Sequence, residues 1–90
     1  MKVNNKEYKI PELNFNAMCT LEELGASFSE MDKKALSTVR AFLALAMGGD
    51  AEQAGKEIEA HIASGGKFDE IMEDISRAVE ESGFFQTLMA

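Results

Sequence analysis

The stretch from Val39 to Met47 constrains the fold most strongly, because every position in it except Arg40 carries an apolar side chain. A helix built from such a stretch has no continuous polar face, so it is stable only where other elements surround it on most sides. The pair Gly48–Gly49 ends the pattern. We therefore predict a helix over 32–47 whose main part, Leu36 to Met47, is the centre of the core and packs against the first and fourth helices.

Two further helices flank this stretch in the sequence. The first is predicted over 14–25, where Asn14 or Asn16 can accept a hydrogen bond from the first turn and a glycine can end the helix. The other is predicted over 50–64, with Asp50 as its cap. Their apolar positions recur at helical spacing and are Phe15, Met18, Cys19, Leu21 and Leu24 in the first, and Ala51, Ala54, Ile58 and Ile62 in the other.

The segment 67–81 has the clearest helical periodicity in the chain, with apolar residues on one face and carboxylates on the other. The apolar face consists of Phe68, Ile71, Met72, Ile75, Ala78 and Val79, and the acidic residues are Asp69, Glu70, Glu73, Asp74, Glu80 and Glu81. The pair Gly65–Gly66 precedes this helix, and Ser82–Gly83 breaks it. A short apolar segment, 84–90, follows the break.

The N-terminal residues 1–11 predict a small β-hairpin. Asn4 and Asn5 suit its turn, because asparagine tolerates the left-handed backbone conformation better than most residues do. Tyr8 and Ile10 alternate with charged residues, as in a half-buried strand. Two short strands are not stable alone, so their apolar side must lie on helices. The predicted fold class is mainly α, a compact bundle of four to five helices with a short N-terminal β-hairpin.

Length and charge limit both the organisation of the chain and its partners. Ninety residues, of which 46% are apolar, can build one hydrophobic core, so residues 1–90 are predicted to form a single domain. The formal net charge of -7 repels nucleic-acid phosphates and anionic membrane surfaces, so neither is an expected partner. The N-terminus has no apolar signal-peptide core, and a single cysteine is typical of a reducing compartment, so a cytoplasmic location is expected.

The sequence contains few residues that could perform catalysis or bind a metal. His61 and Cys19 are the single histidine and the single cysteine, and no spacing indicates a third residue that would complete a catalytic triad. A zinc site needs about four converging ligands. The glycine pairs 48–49 and 65–66 lack the lysine and hydroxyl of a phosphate-binding loop. We therefore predict that the protein is not an enzyme and has no catalytic residues, no metal site and no cofactor.

The C-terminal segment is the best candidate for a binding surface. Its large apolar side chains are Phe84, Phe85, Leu88 and Met89, which we predict to be the partner-binding residues. Either this segment folds back on the core or it is exposed for a partner, since a small protein rarely leaves such apolar area open without a use. Both alternatives stay open from the sequence. A homodimer or a small ring would cover the same side chains, so the oligomeric state stays open as well.

Four segments carry a resemblance to a known family. They are Lys6-Glu7-Tyr8 after a short turn, Leu13-Asn14-Phe15-Asn16 leading into Leu21-Glu22-Glu23-Leu24-Gly25, Arg40-Ala41-Phe42-Leu43-Ala44-Leu45, and Ser82-Gly83-Phe84-Phe85 behind an acidic helix. In this order they resemble the tail assembly chaperones of long-tailed, siphovirus-type bacteriophages and prophages. The resemblance spans almost the whole chain.

The resemblance implies a function and its partners. Such a chaperone binds the long tape measure protein, keeps its apolar helices soluble and helps to recruit the major tail protein, which forms the tail tube. It acts in the cytoplasm of the bacterial host and is absent from the mature virion. An apolar surface on an acidic, soluble chain is compatible with this function, because amphipathic helices dock in apolar grooves.

Three other classes of protein compete with this interpretation. An acyl carrier protein is also small, acidic and helical, but it needs a serine in an Asp-Ser-Leu context, which does not occur here. An acidic inhibitor or adaptor of the DNA-mimic type could use the carboxylates of the segment 67–81 to imitate a row of phosphates. A small structural virion protein is the third alternative, and its presence in purified particles would distinguish it from a chaperone.

Overall fold

The computed structural model describes residues 1–27 and 33–89, apart from the side chains of Phe85 and Met89. The described part is mainly helical, with a two-stranded antiparallel sheet at the N-terminus, which confirms the predicted fold class. Its elements are β1 (Lys2–Val3), β2 (Lys6–Glu7), α1 (Phe15–Glu23), α2 (Ala35–Ala46), α3 (Ala51–Ala63), α4 (Phe68–Glu81) and α5 (Gly83–Met89). None of the described helices is long and apolar enough to cross a bilayer.

Helix α2 is the centre of the core. Its residues Ala41, Phe42, Leu43 and Ala44 are fully buried, as the apolar stretch predicts. The helix packs against α1 and α4, as expected, but its most extensive packing is with α3. The sequence did not indicate α3 as the main neighbour. On the side of α3 that faces the core, the fully buried Ala54 allows the two helix axes to approach closely.

Local capping interactions fix where the helices begin and end. Asn14 accepts a hydrogen bond from Ala17 N–H at 2.9 Å, and Asp50 accepts one from Gln53 N–H at 3.0 Å. These bonds satisfy donors that the first turn of a helix leaves free. Gly25, which follows the C-cap residue Leu24 of α1, has a φ of +114°, a conformation that L-residues with a side chain rarely adopt. The predicted start of the second helix at residue 32 lies outside the described residues, and α2 begins at Ala35.

In α2, α3 and α4, three apolar residues that the sequence assigned to the core side of their helices lie instead at the surface. Leu36, near the start of α2, is 75% exposed, and Ile62 of α3 and Met72 of α4 are also exposed. Leu36 lies in the first turn of α2 and Ile62 in the last turn of α3, while Met72 lies at the edge of the apolar face of α4. Helical periodicity identifies the side of a helix that faces the core, but it does not show how far the covering elements extend.

The N-terminal hairpin has the predicted turn. Asn4 and Asn5 have φ values of +52° and +62°, and the register pairs Lys2 with Glu7 and Val3 with Lys6. Consecutive left-handed residues give a turn whose twist matches that of two antiparallel strands. The strands are only two residues long, so the hairpin depends on its support. Val3 supplies part of that support, because its side chain is fully buried in the core.

Hydrogen bonds join the hairpin to two helices. The backbone N–H of Asn4 donates to Nδ1 of His61 in α3 at 2.9 Å, and the backbone N–H of Lys2 donates to Asp74 in α4 at 3.1 Å. The Tyr8 hydroxyl, just beyond β2, donates to Oε2 of Glu57 in α3 at 3.1 Å. Asp74 and His61 thus give partners to two backbone N–H groups that so short a sheet would otherwise leave to water.

Glu57 is a charged residue that is only 7% exposed. Burial by itself would raise the pKa of this carboxyl group, but its hydrogen bonds and the positive charge of Lys6 outweigh burial and hold the pKa below its usual value. The donors include the Tyr8 hydroxyl, the Asn4 side chain and, at 3.5 Å each, Lys6 Nζ and Gln53 Nε2. Burial, together with the hydrogen bond to Glu57, raises the pKa of Tyr8. Glu57 is therefore a stabilising carboxylate beneath the hairpin.

The variant Glu57→Gln is expected to make folding stability depend less on pH. A carboxyl group with a lowered folded-state pKa stabilises the protein fully above its unfolded pKa, and this contribution is lost as the pH falls through the folded pKa. Glu57→Gln should thus be clearly less stable than the wild type near neutral pH, and the difference should shrink below about pH 4. Urea unfolding at both pH values measures the two differences.

The control for this experiment is Tyr8→Phe, which removes one hydroxyl donor and leaves the carboxylate in place. Its pH dependence should lie between those of the wild type and Glu57→Gln, because Lys6 and Gln53 still donate to Glu57. A stability difference between wild type and Glu57→Gln that is equally large in acid and at neutral pH would contradict the role assigned to the charge.

Candidate partner-binding surface

The position of α5 is set by the break after α4. Ser82 has an extended backbone with ψ of 109°, which turns the chain out of the helix. Its hydroxyl donates to the carbonyl oxygen of Leu13, just before α1, at 3.3 Å, and its own carbonyl oxygen accepts from Gln86 N–H at 3.1 Å. The side-chain amide of Gln86 also donates to the carbonyl oxygen of Val79 at 3.0 Å. These bonds hold α5 against the end of α4 and close to the start of α1.

Two phenylalanines meet where α5 approaches α1. The rings of Phe15 and Phe84 have centroids 6.4 Å apart and planes at 84°, which is an edge-to-face contact. Such pairs contribute about 0.5–1.5 kcal/mol beyond the apolar area that they bury. Both rings stay open to solvent, with Phe15 62% and Phe84 42% exposed, and Leu88 on the next turn of α5 is 50% exposed. We call these three residues, Phe15, Phe84 and Leu88, the terminal surface.

The sequence left open whether the C-terminal segment folds back on the core or is exposed. In the structure the segment contacts α1 and is also partly exposed. The segment is a helix, Gly83–Met89, and Phe84 contacts Phe15, yet about half of Phe84 and of Leu88 remains exposed. The side chains of Phe85 and Met89, the other two predicted partner-binding residues, lie outside the described part of the chain. The binding role of all four residues stays a prediction.

Phe15 is the member of the terminal surface that sequence reasoning missed. Its spacing placed it on the core side of α1 together with Met18 and Leu21, both of which are buried. At about 100° per residue, however, Phe15 points about 120° away from Leu21, at the edge of the stripe. The return of the chain through α5 places the ring of Phe84 against Phe15. Its position at the first residue of α1 was the one available sign that it could lie outside the core.

Carboxylates border the terminal surface. Glu12, Glu81 and Phe84 line one surface cleft of about 260 Å³ between the start of α1 and the break after α4. Both glutamates are exposed, as is Glu80. A rim of charge around apolar side chains keeps the uncomplexed protein soluble and can attract lysine or arginine residues that flank an apolar segment of a partner.

The single histidine, His61, holds the hairpin turn against α3. The sequence gave no spacing for a catalytic histidine and favoured a surface position on its helix, but His61 is largely buried. Its Nδ1 accepts a hydrogen bond from Asn4 N–H, so the neutral ring carries its hydrogen on Nε2. A side chain at Gly66 would collide with this ring, which explains the glycine there. Cys19, on α1, is partly buried as a free thiol.

No group of three or more histidine, cysteine, aspartate and glutamate side chains converges as a metal-ligand set within residues 1–27 and 33–89. Comparison of the chain with protein-family models, curated proteins and solved structures gives no match. The terminal surface is an apolar area with an acidic rim on a helical scaffold. What such a surface can do chemically is to bury apolar side chains of another molecule.

Proposed function

We propose that this chain is a tail assembly chaperone of a long-tailed phage or prophage. It binds the tape measure protein, keeps that protein soluble before the tail forms, and helps to bring in the major tail protein. The family assignment is supported by the resemblance of the four segments described above. The observation that carries the binding role is the partly exposed pair of Phe15 and Phe84 beside Leu88.

The terminal surface suits a client with amphipathic helices. Aromatic rings provide a large apolar contact area with little conformational freedom to lose, which is why they are frequent in binding hot spots. A long helical protein without its assembly partners exposes apolar stripes that aggregate. Covering those stripes with an apolar surface on an acidic carrier lowers the concentration of free stripes and gives the complex a net charge that opposes aggregation.

Co-expression with the tape measure protein of the same phage or prophage tests this proposal. The wild-type chain should co-purify with the tape measure protein and increase its soluble fraction severalfold. The double variant Phe15→Ser with Phe84→Ser should lose most of both effects, because it removes the aromatic pair at the centre of the surface. The matched control is Met72→Ser, which changes an exposed apolar residue on the outer side of α4. It should behave as the wild type does.

Circular dichroism of the variants shows whether they fold, so that a loss of binding is not a loss of structure. Absence of co-purification by the folded wild-type chain would contradict the chaperone function. Binding to a basic protein that is abolished by salt but unchanged by the Phe15 and Phe84 substitutions would instead favour the DNA-mimic inhibitor or adaptor, because exposed charge pairs are screened by salt.

A tail assembly chaperone acts in the cytoplasm of the bacterial host while the tail forms. The protein should then be present in the lysate of an infected or induced culture and missing from purified particles. Mass spectrometry of both fractions measures this. Stoichiometric amounts of the chain in purified virions would favour the small structural virion protein.

A further inference from the structure

A second apolar area lies on the opposite end of α4 from the terminal surface. It is a groove of about 200 Å³ between α2 and α3, which Phe68 closes at one side. Its lining includes Leu36, Arg40, Gly55, Ile58, Ile62 and Phe68. We call this surface the α2–α3 groove. Leu36 is the most exposed large apolar residue of the described chain, and Ile62 is also exposed. The groove is therefore an open, apolar and narrow depression between two helices.

The charge of the groove is opposite to that of the protein. The chain has a formal net charge of -7, but none of the residues that line the groove is acidic, and Arg40 is exposed among them. Within the described part of the chain, the guanidinium group of Arg40 makes no hydrogen bond or ion pair. Arginine offers a planar fork of donors that fits a carboxylate with two parallel hydrogen bonds.

Gly55 in the middle of α3 is a second sign that the groove is kept open. A glycine inside a helix destabilises it relative to alanine, because glycine loses more backbone freedom on folding. The fold does not require glycine here, since its φ is not in the left-handed region and an added Cβ would meet only Arg40 Cδ, at an ordinary contact distance of 3.6 Å. The absence of a side chain instead leaves room for another molecule between α2 and α3.

From these three observations we infer that the α2–α3 groove binds an amphipathic helix of a partner protein that carries a carboxylate facing Arg40. Apolar side chains of that helix, one turn apart, lie against Leu36, Ile58 and Ile62, and its Asp or Glu pairs with the arginine. Gly55 allows the helix backbone to approach the floor of the groove. The charge complementarity with Arg40 selects acidic helices over basic ones.

The groove is separate from the terminal surface. Phe68 is the first residue of α4, whereas α5 follows the other end of α4, and a helix of this length spans about 21 Å. One chain can therefore hold two segments at the same time. This inference does not depend on the identity of the client, and it holds or fails independently of the chaperone function.

A displayed library of amphipathic helical peptides, selected for binding to the intact wild-type protein, tests the inference. Peptides enriched over a selection without the protein should share apolar residues spaced i, i+3 or i+4 and i+7, with an Asp or Glu at one fixed position. The synthetic consensus peptide should bind Arg40→Glu and Gly55→Leu at least about tenfold more weakly than the wild type. The control Phe84→Ala, in the terminal surface, should bind it as the wild type does.

A charge exchange makes the test specific. Replacing the acidic residue of the consensus peptide by lysine should restore binding to Arg40→Glu and weaken binding to the wild type. Gly55→Ala separates a binding role from a structural one. It should raise Tm by several degrees, because alanine favours a helix more than glycine does, and still weaken peptide binding. A glycine required by the fold would lose stability on this substitution. Loss of both stability and binding in Gly55→Ala would overturn the inference.

Four other results would also overturn it. They are no enrichment over the control selection, enriched peptides without a fixed carboxylate, consensus binding that Gly55→Leu leaves unchanged, and consensus binding that Phe84→Ala abolishes. Sedimentation of the peptide-free protein tests whether a second copy of the chain occupies the groove instead. An oligomer that Gly55→Leu converts to a monomer would show that the groove is filled by a second copy of the chain and not by a partner's helix.

Discussion

Phe42→Ala is expected to lower the free energy of unfolding by about 4 kcal/mol, because it removes a fully buried ring from the centre of the core. Phe42 lies on α2, the helix that contacts α1, α3 and α4, so the surrounding elements cannot all move in to fill the cavity. A protein of this size has a total stability of about 5–15 kcal/mol. The substitution should therefore remove between about a quarter and about four fifths of the total stability.

Urea unfolding followed by circular dichroism measures this change as a shift of the midpoint at constant m. The matched control is Leu36→Ala on the same helix, which removes an aliphatic side chain that is 75% exposed. Its effect should stay within about 0.5 kcal/mol, as is usual for surface positions. Equal destabilisation by the two substitutions would mean that α2 does not have the buried and exposed sides described above.

The elements of the fold follow from local patterns in the sequence. Helices α1 to α4 coincide with runs of apolar residues at helical spacing, whereas α5 was predicted only as a short apolar segment. Asn14 and Asp50 form the capping bonds that their residue types favour. The pair Asn4 and Asn5 forms the hairpin turn for the same local reason. These features need only neighbours within a few residues, so a single sequence contains enough information to predict them.

Features that depend on distant neighbours were not predicted. The partners of the buried Glu57 come from the hairpin and from α3, and neither the burial nor the lowered pKa can be inferred from the isolated helix. The exposure of Leu36 and Phe15 depends on where other helices end. Phe84 and Leu88 were named from the sequence as candidate binding residues, but their exposure was left open, and the contact with Phe15 depends on the return of the chain. The α2–α3 groove arises only from the packing of two helices with Phe68.

The variant Ile71→Ala is expected to lower the free energy of unfolding by about 3 kcal/mol and to weaken the attachment of α4 to the rest of the molecule. Ile71 and Ile75 are the buried residues that α4 contributes to the core. Helix α4 in turn holds α5 through packing and through the bond from Gln86 to the carbonyl oxygen of Val79. Loss of the Ile71 side chain should therefore destabilise α4 and α5 together.

Amide hydrogen exchange resolves this effect element by element. In Ile71→Ala, protection should decrease most in α4 and α5 and least in the centre of α2, because local opening depends on the apolar contacts that an element makes. The control Met72→Ala changes the adjacent, exposed residue and should leave the exchange pattern as it is in the wild type. If protection instead decreases uniformly, α4 opens only with the whole molecule. The selective result would mean that α4 and α5 can open together, and move Phe84 and Leu88 relative to Phe15 of α1, while the rest of the core stays folded.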